Sequence, residues 1–415
     1  MIKVLIVDDS LFIRRTLKML LEKETDIEIV GMAADGMQAL EMVTSLDPDL
    51  ITMDVEMPRM DGITALKRIM EEAPTPVIMI SSLTTEGADV TFKALDIGAL
   101  DYIAKPASGS LDIVALQQEL ASRVRALARR KALMRLIHRS KSRNAQPGSA
   151  SPAMGSTGTG AKMSTIDSSR PAAPERPTFV ERGTFSDRGT STTHTLGHEP
   201  SQASAARSSS PVAGGGEVPV RFGRAPFDVV CIGVSTGGPP AVQKVLSSLP
   251  GNFPVPLLIA QHMPMSFTGP FAKRLDGQCA IQVEEIAETV RLKPGTAYVC
   301  RGGMHLRLEM RGGVLFGVVG EEPKSALYKP SANELMASAG NALGKRALCV
   351  ILTGMGNDGL EGTKVLKAKG GFAIAQNEAS CVVYGMPKAI VDAKLADEIV
   401  DIDHMGPTIL SHFTR

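Results

Sequence analysis

The 415-residue sequence predicts two α/β units, each built on a mostly parallel sheet, joined by a long low-complexity segment. Three observations predict this. Between residues 3 and about 139, short β-branched runs alternate with helical patterns five times, the signature of a parallel sheet with helices on both faces. Between about 140 and 223 the composition turns to Ser, Thr, Gly, Pro and Ala with almost no apolar periodicity. From about residue 225 the alternation resumes. At roughly 150 residues per domain, the length suits two such domains.

In the first unit the strands are expected at 4–7, 28–32, 50–53, 77–80 and 101–104. A last helix continues through 121–138 with a basic face of Arg123, Arg129, Arg130, Arg135 and Arg139, expected to be solvated as it leaves the domain. The segment that follows cannot bury enough apolar surface to offset the entropy of ordering it, so 121–224 is expected to be a basic helix and a disordered linker. His194 and His198 fall inside it and are incidental on this reading. In the second unit, 225–415, strands are expected at 228–233, 256–260, 297–300, 314–319, 348–352 and 372–375, with helices near 331–342 and 360–368.

Composition narrows the function. Lys plus Arg total 45 against 44 acids, a formal charge of +1, so no global field draws the chain to nucleic acid or an anionic membrane. The strand-rich second unit offers no helix-turn-helix or basic reading face. No apolar run approaches the roughly 18 residues of a membrane span, and Asp8 and Asp9 fall where a signal peptide's apolar stretch would continue. A cytoplasmic, monomeric protein without direct membrane insertion is expected. Five cysteines, with no CxxC pair, argue against both a disulfide framework and a zinc site; reduced, buried thiols are expected.

In a sheet of order 2-1-3-4-5, the strand ends at Asp8 and Asp9, Asp54, Ser81 and Lys105 converge on one edge. Three crowded carboxylates repel unless a divalent cation sits among them, and oxygen ligands suit Mg²⁺. Asp54 could then attack phosphorus while Lys105 and the cation neutralise the developing charge. Residues 1–120 resemble a response-regulator receiver domain, which implies a flavodoxin-like fold. The resemblance implies Asp54 as phosphoacceptor, Asp8 and Asp9 as metal carboxylates, Glu56 as a backbone carbonyl ligand and Lys105 as the phosphate contact. It further implies that Ser81 and Tyr102 form a conformational pair, Tyr102 following into space that Ser81 vacates.

In the second unit, Cys231-Ile232-Gly233-Val234-Ser235-Thr236-Gly237-Gly238 sets Ser235 at a sharp turn between a buried strand and a helix N-terminus, whose amides can stabilise an oxyanion. The turn fits neither GxGxxG nor the P-loop pattern. Gln261-His262-Met263-Pro264 and Thr353-Gly354-Met355-Gly356-Asn357-Asp358-Gly359 also follow strands, so Ser235, His262 and Asp358 could meet on one edge. These stretches, with Tyr328-Lys329-Pro330-Ser331, resemble the catalytic domain of the chemotaxis protein-glutamate methylesterase over about 226–412. The family more often has Arg before that proline and Val-Asp after that serine, where this chain has Lys329 and Ala332-Asn333. The α/β-hydrolases order the triad Ser, acid, His, unlike the Ser, His, Asp order here.

The resemblance implies a doubly wound hydrolase domain in which Ser235 is the nucleophile, His262 the base and Asp358 its orienting acid. Amides near Thr236 and Met355 are candidates for the oxyanion hole. It implies demethylation of glutamate methyl esters and deamidation of glutamines on methyl-accepting chemoreceptors, with no cofactor for ester hydrolysis, and a chemotaxis histidine kinase as phosphodonor. The receiver is implied to cover the active-site entrance. A non-catalytic receptor- or kinase-binding protein is the competing class; an altered Ser235, His262 or Asp358 would have favoured it.

Overall fold

The computed structural model describes residues 1–82, 84–105, 113–144 and 226–414. The first half runs β1 (Ile2–Val7), α1 (Leu11–Leu21), β2 (Ile27–Ala33), α2 (Gly36–Leu46), β3 (Leu50–Asp54), α3 (Gly62–Glu72), β4 (Val77–Ser81), α4 (Thr85–Ile97), β5 (Asp101–Ala104), α5 (Ile113–Ala128) and α6 (Lys131–Asn144). Its five strands pair in parallel in the order β2-β1-β3-β4-β5. Both faces are buried, as crossover helices require. Val4, Ile6, Ile78 and Ile80 meet Leu120, Val124 and Leu127 of α5. Leu5, Val7, Met53 and Met79 meet Ala65, Leu66 and Ile69 of α3.

Three expectations here are corrected. The helix expected over 121–138 is two helices, interrupted at Arg129 and Arg130, and α5 carries core residues to Ala128, so the first unit extends past residue 120. The basic face is not simply solvated. Arg123 lies three and four residues from core positions Leu120 and Leu127, so helical periodicity turns it inward. There it pairs with Asp101 at 2.8 Å and donates to the Tyr102 carbonyl at 2.5 Å. Arg135 meets Asp47 at 2.5 Å and Lys131 meets Asp49 at 3.2 Å, strapping α6 to the α2–β3 turn. Helix α6 also continues to Asn144, into the stretch expected to be linker; the remainder of that stretch, with His194 and His198, lies outside the described residues.

The second half runs β6 (Val229–Val234), α7 (Gly238–Ser247), β7 (Leu257–Gln261), α8 (Met265–Asp276), β8 (Gln282–Ile286), β9 (Val290–Arg291), β10 (Thr296–Cys300), β11 (His305–Arg311) and β12 (Val314–Gly320). It continues through α9 (Ala332–Leu343), β13 (Ala347–Ile351), α10 (Leu360–Ala368), β14 (Phe372–Gln376), α11 (Met386–Asp392), β15 (Glu398–Val400) and α12 (Ile402–Ser411). Seven strands form a parallel sheet ordered β15-β14-β13-β6-β7-β10-β8. The strand expected at 314–319 is not in it. It is β12, antiparallel to β11 across the two-residue Gly312-Gly313 turn, in a separate sheet β11-β12-β9. Both glycines have positive φ, 56° and 79°, which a tight hairpin of this kind requires. All five cysteines are free, four of them buried. No helix among the described residues is long and apolar enough to cross a membrane.

The halves touch. Helix α4 packs on α7 and α8. Tyr102 stacks on Phe267 with centroids 4.8 Å apart and planes at 9°, and Phe92 lies 5.5 Å from the Phe271 ring. Arg274 pairs with Asp96 at the rim.

Candidate active site

Strands β13, β6 and β7 are neighbours, with Ile351 opposite Gly233 and Val234 opposite Gln261, so their carboxyl ends lie side by side. The turn after β6 is held tightly. Ser235 N donates to the Thr353 carbonyl at 3.0 Å, Thr353 Oγ1 to the Thr236 carbonyl at 2.9 Å, and Gln261 Nε2 to the Ser235 carbonyl at 3.0 Å. Gly237, at φ 72°, is required there, since a Cβ would lie 2.4 Å from Val382 as well as straining the backbone.

Ser235, Thr236, His262 and Met355 line one cavity of about 700 Å³. Behind His262 stands Asp358, its Oδ2 2.8 Å from Nε2. Asp358 also accepts from Ser331 Oγ at 2.9 Å, from the backbone amides of Ala332 at 2.6 Å and Asn333 at 3.0 Å, and from that of Gly359 at 3.1 Å. Ala332 and Asn333 open α9 and Ser331 caps it, so the carboxylate sits on a helix N-terminus. Burial pushes its pKa up, but the hydrogen bond and charge of His262 and these amides outweigh burial and hold it below the usual carboxylate range. An ionised Asp358 only accepts, which puts the imidazole proton on Nε2. Nδ1 is left with its lone pair, buried and without a partner among the described residues. Neither the Thr236 nor the Met355 amide donates to an acceptor among the described residues.

The structure therefore brings all five hydrolase candidates together. His305 and His412 lie elsewhere, His305 buried in β11 and His412 edge-on to Phe227 and Phe372. Sequence reasoning quoted Tyr328 and Asn333 but gave neither a role in the site. Tyr328 stacks on the His262 ring, and Asn333 Oδ1 accepts from the Gly359 and Gly362 amides, each at 2.9 Å. One signal was present: Ser331 and Glu334 form the S-x-x-E pattern that starts a helix, and Glu334 N reaches Ser331 Oγ at 3.5 Å.

The far wall of the cavity comes from the first half: Asp101, Tyr102, Gln118, Glu119, Ser122 and Arg123. Asp101 lies beside the Thr236 side chain.

In the first half, carboxylate oxygens of Asp8, Asp9 and Asp54 lie within 4.8 Å of one another. Lys105 Nζ is 2.7 Å from Asp54 and 3.2 Å from Asp8. Burial, with the Asp8 charge beside it, outweighs Lys105 and lifts the Asp54 pKa to about 6. Buried Asp8 and Asp54, sharing one ammonium with the exposed Asp9 beside them, are a hard, oxygen-only donor set that a divalent cation would relieve, so the residues fit Mg²⁺. Glu56 and Ser81 line the same pocket of about 190 Å³. Ser81 Oγ donates to the Gly87 carbonyl at 3.3 Å, in the first turn of α4. Tyr102 is not in this pocket; it points to the other half, against Phe267.

Comparison with known proteins agrees with this geometry. A family model described as CheB methylesterase matches residues 230–409, and one described as response regulator receiver domain matches 4–116. The chain is 52% identical, over 99% of both chains, to protein-glutamate methylesterase/protein-glutamine glutaminase 1 of Oleidesulfovibrio alaskensis. It is 45% identical, again over 99% of both, to the protein so named from Lawsonia intracellularis. It is also similar to the crystal structure of the Thermotoga maritima CheB methylesterase catalytic domain, with 34% identity and a TM-score of 0.44 over 45% of this chain and 98% of that one. With both domains matched in order and half of all residues shared end to end with such a relative, the chain belongs to the CheB methylesterase family.

Proposed function

We propose that this protein is a phosphorylation-controlled serine hydrolase that removes methyl esters from glutamates, and amide nitrogen from glutamines, on methyl-accepting chemoreceptors in the cytoplasm. The observation that carries the reading is the buried, unpartnered Nδ1 of a His262 held by ionised Asp358 in a cavity shared with Ser235.

Ser235 Oγ attacks the ester carbonyl as His262 Nδ1 takes its proton, and Asp358 stabilises the imidazolium. The oxyanion forms beside the Thr236 and Met355 amides; one such donor is worth on the order of 10² to 10³ in rate. His262 then passes the proton to the departing methoxide, releasing methanol. Water attacks the acyl-enzyme, His262 takes its proton and returns one to Ser235, and glutamate is restored. With glutamine the same steps release ammonia.

In the receiver, Asp54 accepts the phosphoryl group from a chemotaxis histidine kinase. Asp8, Asp9, Asp54 and the Glu56 carbonyl would hold Mg²⁺, which when bound neutralises charge on the phosphoryl oxygens. Lys105 contacts the phosphoryl group. Phosphorylation adds roughly −1.5 to −2 charges and draws Ser81 toward Asp54, away from the first turn of α4. That helix packs on α7 and α8, so its shift loosens the Phe92 contacts with Phe267 and Phe271 and opens the cavity to a receptor helix.

The test is methanol release from methylated receptor membranes. Ser235→Ala should lower it by more than about a thousandfold while leaving the fold intact, because removing a hydroxyl at a turn opens no cavity. Residual turnover within about tenfold of the parent sinks the assignment.

A further inference from the structure

The segment that closes α9's N-terminus does more than hold Asp358. Three residues before the capping Ser331, Tyr328 lays its ring on the His262 imidazole, with centroids 4.2 Å apart and planes at 11°. Its hydroxyl lies against Gly356, where a Cβ would come within 3.3 Å of it, so the phenol bridges from the base to the loop that carries Met355 and Asp358. The segment is anchored from behind by Gly303 N, which donates to the Lys329 carbonyl at 3.1 Å.

We infer that Tyr328 is a positioning residue for His262 and that its π face stabilises the imidazolium formed during acyl transfer. Asp358 fixes the imidazole in its own plane through Nε2 but does not stop it turning about the Cβ–Cγ bond. Rotation out of plane would drive a ring edge into the phenol face, so the stack supplies the missing restraint. The quadrupole of an aromatic face also attracts a cation above it, and a desolvated ring does so more strongly. The stack thus favours the charged imidazole more than the neutral one, which is the difference a base must show between ground and transition states. Asp358 faces the ring at Nε2 and Tyr328 across its face, while Asp101, Glu119, Arg123 and Lys329 line the same cavity.

This rests on His262 acting as base for Ser235, and the experiment separates the two. In the full-length protein with phosphodonor and Mg²⁺, Tyr328→Leu and Tyr328→Phe are compared with the parent. The readouts are methanol release, the rate at which a fluorophosphonate labels Ser235, and the imidazole pKa from NMR titration. The Leu variant should lose about ten- to thirtyfold in both methanol release and labelling, with a lowered imidazole pKa. The Phe variant keeps the face and should stay within about threefold. Lost methanol release with unchanged labelling and pKa would overturn the inference, making Tyr328 a substrate contact only. A Phe variant as impaired as the Leu variant would overturn it too, by placing the effect in the hydroxyl. If His262→Ala labels as fast as the parent, the base assignment itself has failed.

Discussion

At the scale of single residues, two carboxylates in one chain are held in opposite directions by their surroundings. Asp358 is buried but receives an imidazole, a hydroxyl and three amides, and stays ionised. Asp54 is buried with another acid and one shared ammonium, and its pKa rises to about 6. A raised acid pKa contributes stability that is complete below the ordinary value near 3.9 and is lost as pH climbs through about 6. Above pH 6 the metal-free receiver therefore keeps Asp54 ionised against its environment. Mg²⁺ relieves that, and protons compete with it below. The rise in melting temperature on adding Mg²⁺ should be small at pH 5 and grow as pH passes 6. An equal rise at pH 5 and 7.5 would remove Asp54 from the ligand set.

At the scale of elements, α10 begins at Leu360 behind Gly359, which has no side chain to cap it. The cap comes from α9: Asn333 Oδ1 takes the Gly359 and Gly362 amides, and Gly362 can approach because a Cβ there would lie 2.3 Å from the Asn333 carbonyl. The loop holding Asp358 is thereby pinned between two helix starts. Asn333→Ala strands the buried Gly362 donor and leaves the Gly359 amide with Asp358 alone, and should cost about 1 to 3 kcal/mol, seen as a lower melting temperature with a matching fall in esterase rate. An unchanged melting temperature would mean that water replaces the cap. This is also where the sequence was least legible. Ser235, His262, Asp358, Asp54 and Lys105 could be singled out in the sequence because each follows an apolar run, and parallel sheets gather their ligand sites at those ends. Asn333 and Tyr328 lie on elements whose place depends on packing between distant segments, which periodicity does not report. The β11–β12 hairpin was missed although Gly312-Gly313 announced it, because its β-branched run imitates a parallel strand. Arg123 looked solvated because its partner Asp101 sits on another element.

At the scale of the whole molecule, the receiver forms one wall of the cavity that holds Ser235. A receptor helix is about 10 to 12 Å across with its side chains and needs an open groove, so that wall must move for a protein substrate. What holds it is an apolar patch around Phe267 and Phe271, the buried Asp101–Arg123 pair facing Thr236, and Arg274 with Asp96 at the rim. Taking such a closed state from 99 to 1 per cent needs about 5.5 kcal/mol of differential stability, whereas couplings between sites usually supply roughly 1 to 3. Activation should therefore be graded, about 5- to 150-fold, and not all-or-none. Methanol release by a fragment beginning at Pro226 should exceed that of the unphosphorylated full-length protein and ignore acetyl phosphate. Asp54→Asn should stay low with or without the phosphodonor. Arg274→Glu sets two acids against each other at the rim and should raise the unphosphorylated rate severalfold, and adding Asp96→Arg should lower it again. If the fragment and the unphosphorylated full-length protein hydrolyse at equal rates, the wall does not obstruct the substrate, and phosphorylation must act instead by bringing the enzyme to its receptor.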